Sequence, residues 1–425
     1  MQLFYFKLVC VKTDFFIYLV FIKINFRNKM DKLIANSVNL IKSVDTKYIR
    51  DYIKIINWKD RLIGLKGARG VGKTTLLLQY IKQNIPVSKT LYLSLDNIFF
   101  STNRLIDLVD EFVKNGGEFL FLDEVHRYSQ WSVEIKNIYD MYSGLQVVFT
   151  GSSILHIDHK KSDLSRRAVF YEMPGLSLRE YINFKLEKNI KPIPLESILY
   201  HHQEISMQII ENFKPIAIYN EYIEKGYFPF FVENEATYHK KLEEIINVVL
   251  DVDIPQSFDI SLHSIEKIKK LLYIISTSVP FKPNILKLSE RIETTRNSVK
   301  TYLHYLNKAQ IINLLRTDNK GISILQKPDK IYLHHPNLMI ALAGDKSNTG
   351  NLRETFFFNQ VSFSEELTAS KKADFMVNNK YTFEIGGKNK NKSQISGIDN
   401  AFVALDNIEH GFGNKIPLWL FGFLF

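Results

Sequence analysis

The chain of 425 residues has one cysteine, Cys10. That excludes an intramolecular disulfide framework and any zinc site built from cysteines, and it fits a reducing, cytoplasmic setting. Long apolar runs are missing too. No stretch reaches the roughly 18 uninterrupted apolar residues of a spanning helix, so no membrane partner is expected. The nearest approach, Met1–Val20, is broken by Lys7, Lys12 and Asp14, with Lys23 beyond it and no small-residue cleavage site following. Residues 1–29 are therefore read as an extension ahead of a start at Met30, the other reading being a weak membrane anchor. No internal repeat or long low-complexity segment occurs. Arginine is scarce, 13 against 42 lysines. The basic excess, 55 against 45 acids for a net +10, goes with a bias to Lys, Ile, Asn, Phe and Tyr typical of AT-rich coding, so charge alone does not argue for a nucleic-acid partner.

What is present is globular. Hydrophobic residues make up 45% and charged residues 24%, too apolar for a disordered chain. After a mostly helical lead-in over 31–58, the apolar run Arg61–Lys66 ends in a glycine-rich turn, and Leu76–Ile81 behind it reads as helix. Thr90–Leu95 alternates like a strand, and Leu105–Lys114 has helical period and stops at Gly116-Gly117. Glu118–Leu122, Leu145–Thr150 and Ala168–Met173 read as further strands, with a helix over Ile135–Tyr142. Strands alternating with helices predict an α/β fold with a parallel sheet. Beyond Pro174 the pattern turns helical over 176–260. Three short helical patterns and a hairpin signal at Asn319-Lys320-Gly321 follow in 261–345. From 346 the reading is α+β, closing on an apolar strand over Ile416–Phe425.

The strongest motif is Gly67-Ala68-Arg69-Gly70-Val71-Gly72-Lys73-Thr74, followed by Thr75. It meets G-x-x-x-x-G-K-[ST] in full, with a strand before and a helix after. Glycines let successive backbone N–H groups turn toward a phosphate, Lys73 neutralises the β- and γ-phosphates, and Thr74 offers an oxygen to Mg²⁺. Arg69, within the loop, is expected to point to solvent. The second motif is Glu118-Phe-Leu-Phe-Leu-Asp123-Glu124, an apolar strand with two acids at its C-terminal end. There Asp123 stands beside the Mg²⁺ site and Glu124 can polarise the attacking water. The third is Val147-Val-Phe-Thr150-Gly-Ser152-Ser153. In nucleotidases with an adjacent Asp-Glu pair, such a strand lies between the phosphate-loop strand and the acidic strand, and a polar residue at its tip senses the γ-phosphate; Thr150 and Ser152 are the candidates. Arg167, next to Arg166, is a candidate for stabilising transition-state charge in cis or from a neighbouring subunit. His126 and Trp131 are assigned no chemistry.

Together these residues resemble the AAA-like ATPases of bacteria and archaea that carry a poorly characterised C-terminal region. The resemblance spans Gly67 to Glu180 and rests on Leu122-Asp-Glu-Val-His126, Trp131, Phe149-Thr-Gly-Ser-Ser153, Leu164-Ser-Arg-Arg167 and Gly175-Leu-Ser-Leu-Arg-Glu180. Tyr222-Ile-Glu-Lys-Gly-Tyr-Phe-Pro229 is also similar to the family. It implies ATP as the nucleotide, a winged helix and a nuclease-like tail. The organisation expected is then a P-loop NTPase core over 30–175, a lid over 176–260, a winged helix over 261–345 and an α+β nuclease-like region over 346–425.

In the winged-helix region, Ile285–Ile292 and Thr295–Leu306 fit two helices joined by a turn. Val299, Leu303 and Leu306 face the core; Arg296, Asn297, Lys300 and Thr301 are exposed, and 313–334 forms the wing. Duplex DNA is one partner for that face, and packing or a protein partner, including a second copy of the chain, is the other. In the tail, Glu354, Asp374 and Glu384 resemble the acids of restriction-like nucleases, with Asp374 and Glu384 joined across Asn378-Asn379-Lys380. Gly386 stands at the lysine position of that motif, and Lys388 is the nearest substitute. The function expected is a Mg²⁺-dependent ATPase coupled to the C-terminal module. The alternatives are a nucleotide-gated DNA-binding regulator and, further off, a Mg²⁺-dependent nuclease effector.

Overall fold

The computed structural model describes residues 29–152, 164, 166–258, 260–278, 283–317, 327–344, 348–390 and 393–425. Most of the N-terminal extension, Ser153 and the hairpin signal Asn319-Lys320-Gly321 lie outside them. No helix among the described residues is long and apolar enough to cross a membrane. The chain forms two compact units. The first contains the chain up to Lys66, Lys73–Gly151 and the stretch up to Tyr171; the second contains Gly67–Gly72, Ser152 and Glu172–Phe425.

The first unit is built on five strands, β1 (Leu62–Gly67), β2 (Thr90–Ser94), β3 (Phe119–Asp123), β4 (Gln146–Ser152) and β5 (Val169–Glu172), in the order β2-β3-β4-β1-β5. β2, β3 and β4 pair in parallel. The inner strands are apolar on both faces because helices cover both faces of such a sheet; Leu120, Leu122, Val147 and Phe149 are all buried. β4 lies between the phosphate-loop strand β1 and the acidic strand β3, as the Asp-Glu pair predicts. Helix α1 (Lys73–Asn84) follows the phosphate loop, and α2 (Leu105–Lys114) and α3 (Trp131–Met141) complete this layer. Helix α2 ends because Asn115 leaves the helix and Gly116 follows at φ +85°, a left-handed turn that glycine takes without steric cost.

The second unit opens with α4 (Leu178–Lys185). Ser177 caps it by accepting from Glu180 N, while the Glu180 side chain accepts in return from Ser177 N, satisfying two amides of the first turn. Arg179 is buried, and its Nε donates to Phe425 O at 2.8 Å and its Nη1 to Ile190 O at 2.7 Å. The run Gly175–Glu180 thus has a structural explanation, as a helix start fastened to the last residue of the sequence. Helices α5 (Leu195–Ile210), α6 (Pro215–Lys225), α7 (Tyr238–Val248) and α8 (Leu262–Thr277) follow. Then come α9 (Ile285–Arg291), α10 (Arg296–Lys308) and the antiparallel pair β6 (Ile312–Leu315) and β7 (Lys330–Leu333). On α10, Val299, Leu303 and Leu306 are buried while Arg296, Asn297, Lys300 and Thr301 are exposed, the faces that the period predicts.

After α11 (Pro336–Ala343) and α12 (Thr349–Val361), a second sheet is built from β8 (Leu367–Ala369), β9 (Phe375–Val377), β10 (Tyr381–Gly386), β11 (Ala401–Leu405) and β12 (Lys415–Pro417). Its order is β12-β11-β10-β9-β8, antiparallel from β8 to β10 and parallel from β10 to β12. Phe357 of α12 packs on it, its ring 5.3, 5.0 and 4.9 Å from those of Phe375, Phe383 and Phe421. The strand expected over Ile416–Phe425 is a correction: pairing stops at Pro417, and Leu418–Phe423 is a buried 3-10 helix. A short apolar run carries no period that separates a buried strand from a buried helix.

Candidate functional site

In the first unit one carboxylate organises the site. Asp123, 2% exposed, closes β3. The register sets Leu122 beside Phe149 of β4, so Asp123 and Thr150 are the next neighbours along parallel strands about 4.8 Å apart. The Thr150 hydroxyl donates to Asp123 Oδ1. From the other side, Tyr92 of β2 donates its phenol to Oδ2 at 2.7 Å. Thr74, the second residue of α1, donates Oγ1–H to Oδ2 at 2.5 Å, and the Glu124 amide donates to Oδ1 at 3.1 Å. Three strands and the first turn of a helix thereby converge on one anion. Burial, the charge of Asp123 and the bond to it push the Tyr92 phenol well above its ordinary value, so Tyr92 stays protonated and remains a donor.

Glu124 follows in the left-handed region, at φ 51° and ψ 40°. A residue with a Cβ pays roughly 1–2 kcal/mol for that conformation. Its amide is also within 3.2 Å of Thr150 Oγ1, which holds the turn. The effect is to separate two adjacent acids: Asp123 is buried among hydroxyls, while Glu124 is 24% exposed with Oε2 at 3.3 Å from His126 Nε2. His126, given no role from sequence, therefore lies against the candidate base.

Lys73 is buried at the head of α1, and Thr74 and Thr75 behind it are exposed. Arg167 grips Asp140 of α3, Nε to Oδ1 at 2.8 Å and Nη2 to Oδ2 at 3.0 Å. Ser152 is buried at the end of β4.

The loop ahead of Lys73 belongs to the second unit. Gly70 and Gly72 have φ of +85° and +96°, conformations that keep their amides turned and that favour glycine. Val71 is fully buried. Two contacts on the loop were not foreseen. Ala68 N donates to Gln310 Oε1 at 2.9 Å, and Gln310 Nε2 donates to Glu172. Gln310 stands just past the C-terminal end of α10, itself at φ 55°. Arg69, expected to face solvent, instead points to the buried Asp253, Nε to Oδ2 at 3.4 Å. A charge at 1% exposure draws a cation because an unpaired buried carboxylate is costly. Of these residues only Tyr92 carried a local signal, as the one phenol on the strand beside the acidic one.

The donor set suits Mg²⁺. Thr74 Oγ1 and Asp123 Oδ2 are hard oxygen ligands 2.5 Å apart, and Mg²⁺ takes one or two protein oxygens and completes its shell with water and phosphate. No group of three or more His, Cys, Asp or Glu among the described residues could hold a metal unaided.

This is the layout of an AAA-type P-loop domain. Residues 59–182 match the family described as AAA domain, and residues 216–349 match a domain of unknown function, DUF8612. The chain thus carries an ATPase-like domain of the nucleotide-binding AAA class. It is 27% identical over 295 residues to the uncharacterized protein MJ1637 of Methanocaldococcus jannaschii, covering 64% of this chain and 59% of that protein. The chain therefore spans about three-fifths of the curated relative it matches. Among solved structures it is similar to DnaA from Aquifex aeolicus bound to AMPPCP, at 15% identity and a TM-score of 0.25, covering 62% of this chain and 92% of that one. It is also similar to the Saccharomyces cerevisiae Hsp104–ADP complex, at 15% identity and a TM-score of 0.28, covering 64% and 40%. TM-scores of this size do not bear on function.

Proposed function

We propose that the chain binds ATP with Mg²⁺ and hydrolyses it at the γ-phosphate, and that the C-terminal module responds to the nucleotide. The observation that carries this reading is the convergence of Thr74, Tyr92 and Thr150 on Asp123, directly after a complete phosphate-binding loop. In this reading the amides of Gly67–Thr75 cradle the phosphates and Lys73 neutralises them. When bound, Mg²⁺ supplies charge for the phosphate oxygens. Asp123 and Thr74 hold its place, and today's hydrogen bond between them opens to present both oxygens. Glu124 orients the attacking water and takes its proton, with His126 fixing the carboxylate. Thr150 and Ser152 are the candidates that sense the γ-phosphate from β4. Arg167 reaches that phosphate only by leaving Asp140, or an arginine comes from a neighbouring copy of the chain. Glu124→Gln is expected to bind ATP as the parent does and to lose at least about a hundredfold in turnover; single-turnover phosphate release measures this, and unchanged release removes Glu124 from the mechanism.

One observation favours a second output, DNA binding gated by nucleotide. The helix with the exposed Arg296, Asn297, Lys300 and Thr301 face, α10, ends at the Gln310 that holds Ala68 of the phosphate loop. A loop that changes its amide partners on binding phosphate releases Gln310 and frees α10. Duplex binding in the parent is expected to change with ATP and to weaken steeply with salt, while Gln310→Ala keeps the salt dependence and loses the ATP dependence. Fluorescence anisotropy with a labelled duplex reads both; no binding at low salt leaves α10 as a packing or protein-partner surface.

A further inference from the structure

The three acids of the C-terminal region do come together, and what faces them differs from a metal site. Glu354 lies on α12, Asp374 immediately before β9 and Glu384 on β10. The Asn378-Asn379-Lys380 connection, with φ of 54° and 53° at its two asparagines, folds β9 onto β10 and pairs Val377 with Tyr381. Asp374 Oδ2 accepts from Ile385 N at 3.0 Å, fixing that carboxylate on the hairpin. Lys330 of β7 enters the cluster from the neighbouring two-stranded sheet. Its Nζ donates to Asp374 Oδ1 at 2.9 Å and to Glu354 Oε2 at 3.1 Å, and Tyr332 donates its phenol to the same Glu354 oxygen at 2.6 Å. Lys330, Glu354 and Asp374 are each 12–16% exposed. Burial disfavours the ammonium, but the two carboxylates outweigh it and its pKa is raised on balance, so it remains a cation.

The third acid is also paired, and this corrects the expected lysine. Lys390, not Lys388, reaches Glu384, with Nζ at 2.6 Å from Oε1. A Cβ on Gly386 would lie 2.5 Å from Cβ and Cγ of Lys390. The stem of Lys390 therefore fills the space above Gly386, where a motif lysine's own side chain would begin, and only glycine leaves that space open. A divalent ion requires several free oxygens at about 2.0–2.6 Å; here one oxygen of each acid is held by an ammonium group, Glu354 Oε2 and Asp374 Oδ1 by Lys330 and Glu384 Oε1 by Lys390, and no group of three such acids among the described residues is placed to hold a metal. The donor set does not fit a metal.

We infer that this is a carboxylate site with a built-in cation. Lys330 stands where a nuclease-like fold would hold its metal, and it joins β7 to α12 and to the β9–β10 hairpin without a metal and without DNA cleavage. The site is a charge lock among these three structural elements, and Lys330 is its key residue.

The test is Mn²⁺ uptake by the full, nucleotide-free chain, followed by electron paramagnetic resonance, in the parent, Asp374→Asn, Lys330→Met and Lys330→Met/Asp374→Asn. Parent and Asp374→Asn are expected to take up the same Mn²⁺ per chain. Lys330→Met should gain one Mn²⁺ per chain, bound at least about tenfold more tightly than any in the parent at these acids, and the double variant should lose it. If Lys330→Met folds only with Mn²⁺ present, that rescue is the same result in another form, and Lys330→Met/Glu354→Gln, with one carboxylate charge fewer, should fold without it. The inference is overturned if the parent binds Mn²⁺ that Asp374→Asn removes, or if it nicks supercoiled DNA with Mn²⁺ in a manner lost in Asp374→Ala. It is equally overturned if Lys330→Met folds and gains no Mn²⁺, or if Mn²⁺ fails to rescue it while Lys330→Met/Glu354→Gln folds.

Discussion

Asp123 shows how much depends on a single carboxylate. Its partners come from β2, β4, α1 and its own neighbour, so its position reports on four pieces of backbone at once. Tyr92→Phe removes one of these donors without changing the shape of the core. A hydrogen bond to a charged group contributes about 1.5–3 kcal/mol, and a loss in that range is expected in urea denaturation, with nucleotide binding retained. A loss under about 0.5 kcal/mol would mean that water or Thr74 replaces the phenol at no cost. The contrast with Glu124 is instructive. Two adjacent acids in sequence receive opposite environments because one continues the strand and the other turns at positive φ. The motif showed that both acids were present, and only the backbone shows how they are separated.

Elements are joined in the second unit by buried polar groups rather than by apolar packing alone. His334, following β7, is half-buried: its Nδ1 faces Asn313 Oδ1 at 2.9 Å and its Nε2 faces the Tyr227 hydroxyl at 3.2 Å. Donation from Nδ1–H to the Asn oxygen and acceptance from the phenol define the neutral ring. Burial lowers its pKa to about 4, and the neighbouring His335, its ring edge-on to that of His334, is also lowered, by burial and by His334. Since the folded value lies below the unfolded value of about 6.5, the unfolded chain binds more protons between the two. The stabilising contribution is complete above pH 6.5 and falls as the pH drops toward 4, by about 3 kcal/mol over that window for His334. Urea denaturation at pH 7.5 and pH 5 is expected to show this slope, and His334→Gln to flatten it; an equal slope in both proteins would assign the acid sensitivity elsewhere. Helices and strands with clear period or buried composition, such as α1, α2, α10, β3 and β4, were legible from sequence. The closing segment was not, because ten residues of nearly uniform hydrophobicity lack a period, and neither were Gln310 at Ala68 or Lys330 at Asp374. Those are pairings across 242 and 44 residues, and their geometry has no local trace in composition.

At the scale of the molecule, the chain joins an AAA-type nucleotide domain to a C-terminal region whose acids are neutralised from within. The Gly67–Thr74 motif was legible as a turn between β1 and α1, because glycines followed by a lysine and a hydroxyl at this spacing mark a strand-to-helix loop. The tail was legible as a hairpin with acids, and its chemistry was not, since Lys330 and Lys390 come from outside the motif. ATP turnover by the nucleotide domain is therefore the property to measure first. The most direct test is steady-state phosphate release from ATP with Mg²⁺ by the full chain, with and without duplex DNA, beside Lys73→Ala. The account predicts turnover in the parent that Lys73→Ala abolishes together with ATP binding. Turnover of the same size in Lys73→Ala, or a parent that neither binds nor hydrolyses ATP, would contradict it.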